Sequence, residues 1–247
     1  MPLMEEVARL REEAFRQAGG GTGLDLDLDD HDLAIGGYNQ LIAWDINQQK
    51  IVGGYRYMLC KEWQLEHIST LRYFSPSRRF LRDYLPFSME LGRSFTTDRG
   101  TRSLFTMSAL WQGLAKVVER LGCVRYLFGK VTVYPNYNHE AHRLLLLFLR
   151  KFHASDEALL SAVEPMAKIE GSDPFTGESY RENFEILVAE LRRHGEHIPP
   201  MMQAYMRLCR QMKGFDTMCN RDFGNTFETA ILLPVDGIGD DARGRYF

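Results

Sequence analysis

Between Ser88 and Val133 the chain runs SMELGRSFT, then the loop TDRGTRS, then a long amphipathic stretch, and then VRYLFGKVTV. The last segment is apolar almost throughout, which places it as a central strand covered on both faces. The first reads as a strand over Ser88–Thr96 that carries Glu90 and Arg93. Between them Met107, Leu110, Trp111, Leu114, Val118 and Leu121 form one helical stripe. Ser103 is the expected N-cap of that helix and Gly122 its terminator. A buried strand that needs cover on both sides excludes an all-helical chain and calls for an α/β domain.

The rest of the chain fits that frame. Leu3–Gln17 reads as an amphipathic helix stopped by GGGTG. LDLDLDDHD follows, and alternation would set Asp25, Asp27 and Asp29 on one face of an extended segment. NQLIAWDI (39–46) and IVGGYRYML (51–59) form an antiparallel hairpin around NQQK. Residues 60–87 are irregular and rich in aromatics, and 139–152 is a helix buried on most sides. Residues 153–180 carry turn signals and read as a lid or an insertion. Helices follow over 181–194 and from Pro199–Pro200 to about Met212. Two strands, 215–220 and 228–235, close the sheet around RDFGN. No repeat or long linker divides the chain, so 1–247 reads as one domain.

Hydrophobic residues make up 45% of the 247 and the net charge is −3, so the composition does not suggest a nucleic-acid binder. Charge is nevertheless uneven. Seven arginines lie between Arg72 and Arg102 against Asp83, Glu90 and Asp98, a patch that suits an anionic partner or ligand. Four cysteines without a CxxC pair fit reduced thiols in a cytoplasmic protein, and Cys123 and Cys219 read as small buried residues. LLLLFL (144–149) is far short of the roughly 20 residues of a membrane span, and the charged opening MPLMEEVARLREEAF argues against a secretory signal. HEAH (139–142) lacks the HExxH spacing of a zinc site, and no metal is expected.

A helix N-terminus leaves four backbone N–H groups without acceptors and carries partial positive charge, so a cationic turn there favours phosphate. RGTRS has that character without a Walker A lysine or a GxGxxG pattern. MELGRSFT, RGTRSL, SALWQGLA, YLFGKVTVYPNYN and IPPMMQAYMRLC…FGNTFETAILLPV resemble the GNAT-fold N-acyltransferases. The closer resemblance is to the bacterial branch of ornithine and glycine lipid synthesis, often labelled haemolysin-like, which is related in fold to acyl-homoserine-lactone synthases. RLREEAFRQAGGGTG…DLDLDDHD and QLIAWDINQQKIVGGYRYM match the same branch.

The resemblance implies a mixed, mostly antiparallel central sheet flanked by helices, with a C-terminal helical insertion and a closing hairpin. It implies transfer of a long, 3-hydroxylated fatty acyl group from acyl carrier protein (or acyl-CoA) to the α-amine of an amino acid such as glycine or ornithine, with no permanently bound cofactor. Glu90 would be the base, with Arg93 beside it and Tyr134 or Tyr137 protonating the leaving thiolate. Arg99, Gly100, Thr101, Arg102 and Ser103 would hold the pantetheine phosphate. Arg72, Arg78, Arg79 and Arg82 would face the carrier protein, and Asp25, Asp27 and Asp29 would bind an acceptor amine.

An ion pair with an arginine stays open for Glu90. Arg93 lies an odd step away and on a regular strand would point to the other face, pairing with Asp83 or Asp98. The single glycine of RGTRSL departs from the acetyl-CoA loop Q/R-x-x-G-x-G/A. Three other readings remain: an acetyl-CoA-dependent acetyltransferase, an O-acyltransferase and a non-catalytic acyl- or carrier-binding module. The expected location is cytoplasmic, with peripheral contact to the inner membrane.

Overall fold

The computed structural model describes residues 2–60, 62–98, 100–166 and 170–246, the side chains of 62–64 apart. Helix α1 (Pro2–Ala18) leads through the short α2 (Asp30–Leu33) to strands β1 (Asn39–Asp45) and β2 (Lys50–Leu59). After β3 (Phe74–Pro76) come β4 (Ser88–Thr96), α3 (Thr101–Leu121), β5 (Tyr126–Val133) and α4 (His139–Phe152). Strand β6 (Leu160–Ala162), helices α5 (Tyr180–Arg193) and α6 (Pro200–Leu208), strands β7 (Lys213–Asn220) and β8 (Thr226–Pro234), and α7 (Asp240–Tyr246) complete the described chain. Six strands form one sheet in the order β1-β2-β4-β5-β8-β7. Every neighbouring pair is antiparallel except β4 with β5. This is the mixed, mostly antiparallel sheet anticipated above.

Period-two alternation sorts the strand side chains between two cores. Met89, Leu91, Leu127, Val131 and Ile231 pack with Leu110, Leu114 and Val118 of α3 and with the buried leucines of α4. Phe128, Ala230, Leu232 and Met58 point to the opposite face, against Phe74, Phe80, Leu85 and Leu160. Strand β5 thus lies between two apolar layers, and its continuous hydrophobic reading follows from that.

Several local expectations are corrected. The N-cap of α3 is Gly100, at φ 65°, with no side-chain cap, and Ser103 sits inside the first turn, where its Oγ meets Thr96 Oγ1 at 2.8 Å. Gly122 does close that helix in the left-handed region. The acidic stretch does not stay extended to its end. It bends into α2, where Asp29 and Asp32 form a reciprocal capping box. Helix α6 ends at Leu208, because Cys209 turns extended. Cys123 is exposed and Cys219 half-buried, whereas Cys60 and Cys209 are the buried thiols, and all four are free. Within 153–180 the described residues are fastened to the body of the fold: β6 pairs with β3, Pro165 bridges to Met218, and Phe175 is buried in the helical core.

The parallel pairing of β4 and β5 covers only Ser88–Leu91 against Tyr126–Gly129. At its end a Cβ on Gly129 would lie 2.3 Å from the Leu91 carbonyl oxygen, so only glycine permits this approach. Gly129→Ala is expected to lower unfolding stability by about 1–3 kcal/mol through overpacking. Gly92→Ala, with open space around it, should shift it by less than about 0.5 kcal/mol. Urea denaturation of the two variants compares them directly.

Candidate active site

Where β4 and β5 part, a cavity of about 560 Å³ opens through the sheet. Its wall on the α3 side carries Tyr55, Met107, Val131, Val133, Ile198 and Tyr205, while its wall on the other side carries Tyr38, Arg56, Thr70, Glu90, Lys130 and Glu228. One chamber is mainly apolar and the other mainly polar, and the gap between the two strands joins them. Beyond Leu91 the edge of β4 that faced β5 faces this gap instead, and Gly92, Arg93 and Ser94 line it.

Strand β4 also bulges there. Its pairing with β2 steps from Arg56↔Gly92 to Gly54↔Phe95, so three residues on β4 match two on β2, and Arg93 takes φ 50°. The extra residue cancels the odd step between Glu90 and Arg93, so both reach the cavity. The guanidinium of Arg93 is occupied: Nε donates to Asp27 Oδ2 at 2.8 Å, and the group lies 4.6 Å above the Phe223 ring. Its partner is therefore Asp27, not Asp83 or Asp98.

Glu90 is 2% exposed and accepts hydrogen bonds from the Tyr38 hydroxyl, from Thr70 Oγ1 and from the Thr70 backbone N–H at 2.7 Å. Among the described residues no arginine is ion-paired with it. Burial, and then the neighbouring Glu90 charge, push the Tyr38 hydroxyl well above the usual tyrosine range, so Tyr38 stays a donor to that carboxylate. The Ser69 N–H donates to the Tyr38 oxygen at 2.9 Å, and the Arg56 guanidinium lies 4.2 Å above the same ring. Lys130 Nζ stands 3.3 Å from Glu228 Oε2, and burial lowers the lysine below its ordinary value.

The acidic segment serves these cations rather than the cavity. Asp27 pairs with Arg11 and Arg93, Asp32 with Arg11 and Arg56, and Asp29 with Arg56. Asp25 is exposed. None of Asp25, Asp27 and Asp29 lines the cavity, and the two inner ones already hold arginines, which corrects their placement as anchors for an acceptor amine. Arg72 pairs with Asp222 on the β7–β8 turn, Arg79 with Glu157 and Arg82 with Asp83. Arg78 is exposed beside them. The segment carrying Arg79 and Arg82 packs through Phe80 and Tyr84 on Phe128 and Tyr126, at the opposite end of β4 from Gly100.

Arg99 lies outside the described residues. Thr101 and Arg102 are exposed at the start of α3, and Ser103 lines the cavity. Tyr134 lines it too, its ring packed on Gly20 and its hydroxyl pushed up by burial to about 12. Tyr137 is turned to structure, donating to the His197 carbonyl at 2.8 Å. In HEAH, Glu140 pairs with Arg143, and His142 is buried near Phe227, its imidazole pushed down to about 4 by burial. Among the described residues no group of three or more His, Cys, Asp or Glu is placed to hold a metal.

Lys130, Glu228, Arg56, Tyr38 and Thr70 escaped the sequence reading. A signal existed for three of them. Each is the lone charge in a largely apolar run, as in YLFGKVTV, ETAILLPV and IVGGYRYML. A charge at such a position is retained only where a partner or a cavity receives it.

A sheet whose central parallel pair parts over a through-going cavity, with a carboxylate at the fork and a helix N-terminus at its end, is the architecture of a GNAT acyltransferase. The acetyltransferase (GNAT) domain family matches residues 10–112. A glycine Nα-acyltransferase of Bacteroides thetaiotaomicron is 40% identical over 260 aligned positions, covering 99% of this chain and 77% of that protein. One of Phocaeicola vulgatus is 39% identical and covers 99% and 79%. A solved CoA-dependent acyl-homoserine lactone synthase aligns with 99% of this chain and 86% of its own at 13% identity and a TM-score of 0.43, too distant to add weight. This chain belongs to the GNAT N-acyltransferase family of those two relatives.

The buried ion cluster predicts how the fold responds to acid. Burial alone would raise the Asp32 carboxyl, but Arg11 and Arg56 outweigh it and hold the group well below the usual carboxylate range. A depressed folded-state pKa adds stability above the unfolded value of about 4, and that stability is lost as pH falls through the folded value. Urea stability measured from pH 6 to pH 3 should decline below about pH 4. Arg11→Met should cost about 3–5 kcal/mol at neutral pH, because Asp27 and Asp32 are left short of a cation, and should flatten the acid decline.

Proposed function

We propose that this protein transfers a long-chain acyl group from the phosphopantetheine thioester of an acyl carrier protein to the α-amine of glycine. The observation that carries this reading is the single cavity joining an apolar chamber to a polar one at the fork of β4 and β5, with Glu90 on the polar side. A fatty acyl chain, including a 3-hydroxylated one, suits the Met107–Val131–Tyr205 side, where burial favours hydrocarbon and the Tyr55 and Tyr205 hydroxyls offer polar contact. The polar side suits a small charged acceptor. Glycine is preferred over ornithine because Asp27 and Asp29, which could have met a second ammonium, are already bound to arginines, and because the two relatives carry glycine in their names.

The chemistry needs a free amine, a polarised thioester and a protonated leaving group. Glu90 takes the ammonium proton, directly or through one water, and Tyr38 and Thr70 hold its carboxylate in position. The amine nitrogen then bonds to the thioester carbon. The oxyanion is received by β4 backbone N–H groups past Leu91. As the C–S bond breaks, Tyr134, whose hydroxyl keeps its proton at neutral pH, donates it to the thiolate and recovers one from the attacking nitrogen, which leaves a neutral amide and a free thiol. Arg102 and the free N–H groups at the start of the 21-residue α3 grip the pantetheine phosphate. The carrier bears that phosphate on its own chain, so its acidic surface docks at the start of α3 beside Arg102, at the other end of β4 from Arg78, Arg79 and Arg82. Leu104 and Phe105, 70% and 75% exposed beside Arg102, offer contact to a membrane face where an acylated product would leave.

Incubation with 3-hydroxyacyl carrier protein, long-chain acyl-CoA and acetyl-CoA in parallel, each with mixed amino acids, followed by mass analysis, tests the reading. N-acylglycine from the carrier-bound donor is expected, and product from acetyl-CoA alone would refute it. Glu90→Gln should lower kcat/KM by about 10²–10⁴ while donor binding persists, so unaltered turnover would remove Glu90 as the base. Arg102→Ala should raise the donor KM, and the difference from the parent should shrink as salt is added.

A further inference from the structure

Three described cations line the polar chamber, and they are not held alike. Arg56 reaches Asp29 at 2.9 and 3.0 Å, and Arg93 reaches Asp27 at 2.8 Å. Lys130 Nζ instead stands 3.3 Å from Glu228 Oε2, 3.3 Å from Ser69 Oγ and 3.5 Å from the Ser69 carbonyl. A charge-assisted N–H···O bond normally closes to about 2.7–2.9 Å, so the ammonium is surrounded but not tightly bound. Among the described residues Glu228 Oε2 is itself buried without a hydrogen bond, while its other oxygen accepts from Asn220 at 3.0 Å. The side chains of Lys130 and Glu228 are 9% and 3% exposed, and the Tyr73 ring lies 4.5 Å from the ammonium. A buried cation with loose contacts beside open cavity has room for an anion.

Its position relative to Glu90 indicates which anion. Glu90 is paired with Phe128, and Lys130 lies two residues further along the same strand, so the two side chains share a face. With strands ~4.8 Å apart and ~3.3 Å per residue, their Cα atoms are about 8 Å from one another. An α-amino acid carries its amine and carboxylate on one carbon and fits between them, amine toward Glu90 and carboxylate toward Lys130. We propose that Lys130, positioned by Glu228, binds the carboxylate of the acceptor and so makes the site select α-amino acids over amines that lack one. This inference rests on the amino-acid acylation proposed above and adds the residue that reads the acceptor.

The test compares glycine with glycinamide as acceptors for the same donor. Lys130→Met should cut the glycine-to-glycinamide ratio of kcat/KM by at least about 30-fold, the worth of one hydrogen bond to a charged group, chiefly through the KM for glycine. Lys130→Arg should recover much of that ratio. A ratio within about threefold of the parent in Lys130→Met overturns the assignment. If leaving Glu228 alone prevents folding, the double variant Lys130→Met with Glu228→Gln removes both charges and is read the same way. In the parent, propionate should inhibit competitively against glycine, and no competition overturns the assignment as well. A parent that acylates no amino acid with any donor refutes the function itself, whereas an active parent with an unmoved ratio refutes only the role of Lys130.

Discussion

Everything at the centre of this molecule depends on a parallel strand pair that stops after four residues. Strands β4 and β5 are bonded only as far as Leu91 and Gly129. Past that point each keeps its antiparallel partner on the outer side, β2 for one and β8 for the other, so the sheet holds together around an opening. Gly129 makes the close approach at the fork, and the bulge at Arg93 bends β4 away from it. An interior that would otherwise be packed hydrocarbon becomes a passage with backbone along its edge. That edge is what acyl transfer requires: N–H groups fixed before the reaction begins, in a site with little water.

The second constraint is electrostatic. Arg11, Arg56, Arg93 and Lys130 meet Asp27, Asp29, Asp32 and Glu228 in a largely buried set of ion pairs, contributed by α1, the acidic segment and strands β2, β4, β5 and β8. Such a cluster adds little net stability compared with an apolar core, because desolvation offsets much of the attraction. Its effect is on geometry. Breaking one pair strands the others, so the side chains around Glu90 are held in one arrangement and the segment from Asp27 to Asp32 is fastened across the outside of the polar chamber.

Much of the fold was legible because it rests on local patterns. The hairpin of β1 and β2, the stripe of α3, the Gly122 terminator and the apolar run of β5 depend on neighbours within a few residues. What escaped depends on pairing at long range. Alternation in LDLDLDD suggested an extended segment with its aspartates on one face, but Arg11, Arg56 and Arg93 draw Asp27 and Asp29 into ion pairs. Glu90 and Arg93 looked opposed because a bulge leaves no mark in period-two counting. Ser103 looked like a cap, yet Gly100, able to adopt φ 65°, takes that place. Tyr38 and Thr70 carry no sign in their own segments of the carboxylate they serve, which is 52 and 20 residues away.

Glu228 lies on β8, the last strand of the sheet to leave the ribosome, whereas Arg11 sits in the opening helix. The polar chamber therefore needs α1 and β8 at once, and a nascent polypeptide has no complete polar chamber until β8 has emerged. Contacts so distant in sequence form slowly and late. Premature chain termination anywhere before the final hairpin would yield no weakened catalyst, only a product lacking the wall that faces Glu90.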